Sequence, residues 1–140
     1  MKSLMLSTAL LLGLASGALA QVATPQEKGL SAPIVALTPV LAKNADLLKL
    51  DDAQKADLKA FLDTMPAKRM AFEDETAALR KELHDAILAD APVADREALA
   101  ARIGAHETQL VMMRSGCVDH WRSVLSADQF AQLVALAEPK

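Results

Sequence analysis

Leu58, Leu62, Met65, Arg69, Phe72, Thr76, Leu79, Leu83 and Ala86 follow one another at alternating steps of four and three. That is the spacing of a single seam along an α-helix. No glycine breaks the chain between Gly29 and Gly104. Pro66 falls inside the seam, which keeps its phase across it, so the proline is expected to kink the helix rather than end it. Just upstream, Leu50-Asp51-Asp52-Ala53-Gln54 has the form of a capping box: Asp51 accepts the Gln54 N–H, and the Gln54 side chain reaches back. A helix over 52–89 would be roughly 57 Å long at 1.5 Å per residue. A rod of that length cannot bury its own seam. It needs a partner.

The same chain supplies one. After Asp90-Ala91-Pro92-Val93, which reads as the turn, Leu99, Ile103, His106, Leu110, Met113, Cys117, His120 and Val124 again alternate four and three. Two seams joined by a short loop predict an antiparallel helical hairpin, with its second helix over 94–125. Folding about the turn pairs residues whose numbers sum to about 186, in the manner of any two-helix hairpin. Met65 would then face Trp121, Met70 would lie beside Cys117, Phe72 would meet Met113, and Leu79 would sit near His106. Ser126-Ala127-Asp128-Gln129 is a second capping box, with Leu125 and Phe130 placed as a hydrophobic staple. It opens a short last helix bearing Phe130, Leu133, Val134 and Leu136. At the other end, Thr38-Pro39 reads as an N-cap followed by proline at the first helical position of a helix over 39–49. The expected fold is all-α: one domain over 39–137, a long hairpin with short flanking helices, packed as a dimer.

Residues 1–20 carry one charge, Lys2, then an apolar run, and end in the small-x-small sequence Ala18-Leu19-Ala20. The run is shorter than the roughly 20 residues of a membrane helix and is broken by Ser7, Gly13, Ser16 and Gly17. It reads as a secretory signal cleaved after Ala20. No cysteine adjoins that site, so no lipoprotein anchor is expected. Residues 21–38, with Pro25, Gly29 and Pro33 among polar neighbours, read as a flexible leader.

Composition narrows the function. The chain has a net charge of −3, and loss of Lys2 with the signal makes the mature protein more acidic still. That argues against nucleic-acid binding, which needs a basic face. Phe61, Phe72, Trp121 and Phe130 are too few for a base-stacking platform. Three glycines in the mature chain exclude a Gly-rich phosphate cradle and disfavour a turn-rich all-β fold. One cysteine permits no internal disulfide.

Side chains able to hold a soft metal are Met65, Met70, Met112, Met113 and Cys117, with His84, His106 and His120. Cys117 and His120 are three apart and point to one side of a helix. Together with Met113 and Met70 they would offer thiolate, thioether and imidazole, a donor set for zinc or copper. Methionine and cysteine on a helical seam also serve as core filler, although a lone thiol is a liability in an oxidising compartment. Both readings stand at this level. His106, between Ile103 and Leu110, reads as a buried or interfacial histidine satisfied by a carboxylate or carbonyl. His84, with Glu82 and Asp85 beside it, reads as a solvated helix residue, and Trp121 as the anchor where the last helix docks. Arg69 and Thr76 interrupt the first seam, either to fix a dimer register or to face a groove.

Glu73-Asp74-Glu75 and Arg80-Lys81-Glu82 offer carboxylates, but consecutive helical residues point in different directions, so they read as a solvated face. The sequence contains no Gly-x-Ser-x-Gly turn and no nucleophile–base–orienter set. An enzyme is not expected.

One internal echo remains. Leu50–Gln54 and Leu125–Gln129 share the form Leu-x-x-x-Gln, and in both a leucine or phenylalanine returns eight and eleven residues after the first leucine (Leu58, Phe61; Leu133, Leu136). On these residues the chain, over about 42–136, resembles the Spy/CpxP-type periplasmic proteins and their relatives, the zinc-resistance-associated proteins and periplasmic heavy-metal sensors. Members carry two Leu-Thr-x-x-Gln motifs flanking a long helical hairpin; here Asp51 and Ser126 replace the threonine and cap equally well. The resemblance implies a periplasmic location, an antiparallel dimer of curved hairpins, and envelope-stress work. That work would be holding unfolded or misfolded envelope proteins without ATP, or binding metal and reporting it; a third possibility is a structural partner of an envelope sensor. The chaperone members are often basic on the concave face, whereas this chain is acidic. No histidine precedes His84, so the sensors' own metal site has no counterpart here.

Overall fold

The structure, a computed structural model, describes residues 23–138, so the expected signal peptide and its cleavage site lie outside the described residues. Four helices follow in order: α1 (Leu37–Lys43), α2 (Asp52–Leu88), α3 (Val93–Val124) and α4 (Ala127–Ala137). The described residues contain no strand. Helices α2 and α3 pack along each other as the hairpin, and α1 packs against α4 and α3. No described helix is long and apolar enough to cross a membrane.

Both capping boxes form. Gln54 N donates to Asp51 Oδ1 at 2.8 Å, and Asp51 N donates to Gln54 Oε1 at 3.1 Å. At α4, Gln129 N donates to Ser126 Oγ at 3.2 Å and Ser126 N to Gln129 Oε1 at 2.9 Å. Leu125 is buried and Phe130 packs on the same cluster, as the staple requires. Helix α2 runs through Pro66 unbroken.

The described residues with positive φ all close turns in one way. At the hairpin tip Asp90 (φ 53°) lets Ala91 N donate to Ala86 O at 3.0 Å and Asp90 N to Ile87 O at 3.3 Å. This is a Schellman closure with aspartate where glycine is commonest. Lys49 (φ 52°) repeats it, with Leu50 N on Ala45 O at 3.1 Å and Lys49 N on Asp46 O at 3.0 Å. Gly29 (φ 74°) does so a third time, with Leu30 N on Pro25 O at 2.7 Å and Gly29 N on Gln26 O at 3.0 Å.

These closures change the expected N-terminal half. The first helix starts at Leu37, two residues early, and stops at Lys43 instead of spanning 39–49. Asn44 ends it by donating Nδ2 to Val40 O at 2.7 Å, and the next turn runs out at left-handed Lys49. Thr38 is therefore inside α1 and not its cap. The expected leader is laid along the hairpin: Thr24 and Glu27 exchange capping bonds, Lys28 Nζ bridges to Asp74 Oδ1 at 2.7 Å, and Leu30 is buried.

The core sits at the open end of the hairpin. Leu37 and Leu41 from α1, Leu58 from α2, Trp121 from α3 and Leu133 from α4 meet there with Leu48, Leu50 and Leu125. Trp121 is fully buried and is the anchor on which both short helices dock. Its Nε1 donates to Thr38 Oγ1 at 2.8 Å, so the indole N–H is satisfied where a buried donor must be. Farther out Leu79, Leu99, Ile103 and Leu110 are buried, while Ile87, Leu88 and Val93 at the tip are exposed.

The register is in part as expected. Arg114 reaches Glu73 at 3.2 Å and Arg80 reaches Glu107 at 3.5 Å, both close to the anticipated pairing. The rings are offset by about a helical turn. Trp121 packs on Phe61 (centroids 4.7 Å), and His106 stacks on Phe72 (4.6 Å) with its Nδ1 3.3 Å from Thr76 Oγ1.

Candidate functional site

The motif residues close the hairpin. Leu50 and Leu125 are both buried in the core cluster. Gln54 Nε2 donates to Gln129 Oε1 at 2.9 Å and Gln129 Nε2 to Gln54 Oε1 at 3.1 Å. Gln54 Nε2 also reaches Val124 O, and Gln129 Nε2 reaches Leu48 O, each at 3.1 Å. Each glutamine is thus the third residue of its own cap and a tie to the other motif. They are structural braces and line neither of the two grooves of the hairpin.

Openings lie farther along, where residues 30–38 cross the hairpin as a strap. On one side is a groove of about 350 Å³ between Leu30, Ile34 and Val35 of the strap and Leu110, Val111 and Val118 of α3. Glu73, Glu107, Arg114 and Arg122 edge it. On the other side a groove of about 260 Å³ runs between strap residues 33–39 and Phe61, Leu62, Met65, Met113 and Cys117. Arg69 and Arg114 also line this second groove.

An ionic cluster separates the two. Glu73 is buried, its side chain 4 % exposed, and its Oε1 takes Arg114 Nη2 at 3.2 Å and Arg69 Nε at 3.5 Å. The expected solvated face of Glu73-Asp74-Glu75 is therefore corrected at its first member; Asp74 and Glu75 are exposed. Register explains the difference, because α3 carries Arg114 over Glu73 and a buried carboxylate persists only with such a partner. Sequence reasoning weighed the acidic triplet alone. Arg114 on the opposing helix was the missing signal.

One turn on, Thr76 is fully buried and donates Oγ1 to Phe72 O at 2.8 Å, with His106 Nδ1 3.3 Å from the same oxygen. His106 is thus an interfacial histidine satisfied by a hydroxyl, where a carboxylate or carbonyl was anticipated. Thr76 and Arg69, the polar residues of the first seam, face this cluster and the second groove. His84 lies on the exposed face beside Asp85 at 3.0 Å, as read from its neighbours.

Of the anticipated metal set, Met113 and Cys117 line the second groove with Met65, and Met70 and His120 are not among its lining residues. His120 is held elsewhere: its Nε2 stands 2.6 Å from Asp57 Oδ2, and its ring stacks on Phe61 at 5.0 Å. That cross-helix pair was not foreseen, since Asp57 carries no local cue. Cys117 Sγ donates to Met113 O at 3.2 Å. Burial pushes the Cys117 thiol above its ordinary value, opposed in part by the positive charges of Arg69 and Arg114. Among the described residues no group of three or more His, Cys, Asp or Glu side chains is placed to hold a metal ion.

No protein-family model matches the chain, and no curated protein or solved structure is significantly similar to it.

Proposed function

We propose that this chain is a periplasmic envelope-stress protein of the Spy/CpxP type that holds apolar segments of unfolded proteins without nucleotide. The observation that carries the reading is the apolar wall of the larger groove. Ile34 (78 % exposed), Val35 and Val111 stand open to solvent beside it, on a layer only two helices thick. Contiguous exposed aliphatic side chains rimmed by charges mark an interaction surface. Glu73, Glu107, Arg114 and Arg122 supply both signs at that rim. The paired Leu-x-x-x-Gln motifs, joined through Gln54 and Gln129, support the same family reading. In it the chain acts as a homodimer, is a binding protein and not an enzyme, and its partners are unfolded envelope proteins.

Light scattering of a chemically denatured client tests this. Stoichiometric protein should slow aggregation without nucleotide. Ile34→Asp and Val111→Asp should weaken that effect at unchanged melting temperature. Unaltered scattering for several clients overturns the reading.

A second reading, zinc or copper binding, has one observation in its favour: Met65, Met113 and Cys117 line one groove. Against it stand Arg69 and Arg114 in the same walls, whose charge repels a cation. Titration of the reduced protein with Cu(I) and Zn(II), with and without Cys117→Ser, separates the two. Stoichiometric binding that vanishes with the thiol would establish the metal reading.

A further inference from the structure

The smaller groove differs in charge from the acidic chain around it. Its walls are largely apolar, formed by Val35, Leu37, Phe61, Leu62, Met65 and Met113, and among the described residues its only charged lining residues are Arg69 and Arg114. Both guanidiniums converge on a single carboxylate, Glu73. Two positive charges are answered by one negative charge, so the groove keeps a net positive end. Moreover, Arg69 Nε has no hydrogen-bond acceptor among the described residues; at 3.5 Å from Glu73 Oε1 it is near enough for attraction but not aligned for a bond. The side chain as a whole is 42 % exposed and lines the groove, where a carboxylate would gain a charge-assisted bond from the guanidinium. The neighbouring thiol, held protonated by burial, adds no negative charge to repel such a group.

We propose that this groove binds a single-chain apolar monocarboxylate of the medium-chain fatty-acid class. The carboxylate sits on Arg69 and Arg114, and the alkyl chain lies along Phe61, Met65 and Met113. A volume of about 260 Å³ suits one alkyl chain, being at the small end of ligand pockets. Methionine side chains adapt to a flexible chain without a fixed shape of their own. Charge complementarity selects this occupant over a neutral or cationic amphiphile of equal length. The site lies across the strap from the surface assigned to unfolded clients and shares Val35 and Arg114 with it, but its key residue Arg69 lines this groove and not the other, so the Arg69 test is separate from that reading.

Calorimetric titration of the purified protein with decanoate, decanol and decyltrimethylammonium, all below micelle formation, tests the proposal. Decanoate should bind saturably at one per chain, with decanol and the ammonium about tenfold weaker or worse, the scale of one lost charge-assisted bond. Arg69→Gln should reduce decanoate affinity about tenfold and leave decanol unchanged, since Arg114 remains to hold Glu73. Thermal unfolding in the absence of ligand confirms that the variant folds. Alkylation of Cys117 gives an independent readout: its rate should fall with the fraction of sites decanoate occupies, because the thiol lines the groove. Equal binding of the three amphiphiles, absence of saturable decanoate binding, or an unaltered Arg69→Gln affinity would each overturn the proposal.

Discussion

Gln54 and Gln129 lie 75 positions apart in the chain and form one reciprocal amide pair, donating to each other at 2.9 and 3.1 Å. Each also crosses to the backbone that leads into the other's motif, at Val124 O and Leu48 O. A local helix start is thereby converted into a long-range tie, and the two ends of the hairpin are fixed in register by the same atoms that cap its helices. Gln129→Ala should lower unfolding free energy by about 1–3 kcal/mol, since Gln54 and Leu48 O lose partners in a half-buried site. Gln54→Ala should behave alike, and the double variant should lose less than the sum, because the residues share one network. Gln129→Glu keeps the cap acceptor but removes the outgoing donations to Gln54 Oε1, Leu48 O and Lys49 O. If urea denaturation finds it as stable as the parent, the tie contributes nothing.

What could be read from sequence was what is local. Both boxes depend on residues three apart, and both form as read. The same logic was present in Thr24-Pro25-Gln26-Glu27-Lys28-Gly29, where cap, helical proline, returning carboxylate and left-handed glycine stand in order. No apolar seam follows that turn, so its residues alone do not mark it as the start of a helix. Glu73 and His120 show the other limit: their partners, Arg114 and Asp57, lie 41 and 63 positions away. Neither side chain has a neighbour in its own helix that announces such a partner. The paired seams gave the antiparallel hairpin, but which rings meet across it, Trp121 with Phe61 and His106 with Phe72, was not legible from spacing alone.

The turn residue Asp90 is strained. Asp90 and Lys49 occupy the left-handed region at φ 53° and 52°. Non-glycine residues there cost roughly 1–2 kcal/mol, and glycine avoids most of it. Asp90→Gly and Lys49→Gly should each stabilise by about 0.5–1 kcal/mol after glycine's greater unfolded-state entropy is subtracted. Asp90→Ala should be destabilising, because alanine has neither the freedom of glycine nor a short polar side chain to support the turn. Thermal melts of the three variants decide the matter; a lower midpoint for Asp90→Gly would contradict the assignment.

The hydroxyl of Thr38 holds the only indole in the chain. Thr38→Val preserves shape but leaves Trp121 Nε1 buried without an acceptor, and should cost about 1–3 kcal/mol. Thr38→Ser should recover most of it. Because Trp121 is the sole tryptophan, its emission reports the unfolding of this core directly. Equal midpoints for the valine and serine variants would show that the bond adds nothing.

Cys117 links stability to alkaline pH. Its folded thiol titrates above its unfolded value of about 9.0, so between the two the folded chain binds more protons than the unfolded one. By linkage the thiol's contribution is complete below pH 9 and is lost as pH rises through the folded value. Cys117→Ala should therefore flatten the alkaline limb of the stability profile, and alkylation of the parent near pH 7.5 should be slower than that of a free thiol. An alkaline limb that persists unchanged in Cys117→Ala would assign it to other groups.

Thr76 and His106 fix a proton. The Thr76 hydroxyl has one hydrogen, and it is donated to Phe72 O at 2.8 Å. Its oxygen can then only accept from His106 Nδ1, 3.3 Å away, so the neutral ring must carry its proton on Nδ1 and leave Nε2 bare. The near-parallel stack on Phe72, with 9° between planes, holds the ring in that orientation. Thr76→Val keeps the buried shape but removes the acceptor, and should cost about 1–2 kcal/mol while releasing the tautomer preference. Thr76→Ser should keep both. Long-range nitrogen–proton NMR of the neutral imidazole reads the tautomer itself. If the wild-type ring is protonated on Nε2, the hydroxyl must turn its hydrogen toward His106, and Phe72 O loses its side-chain bond in the middle of α2.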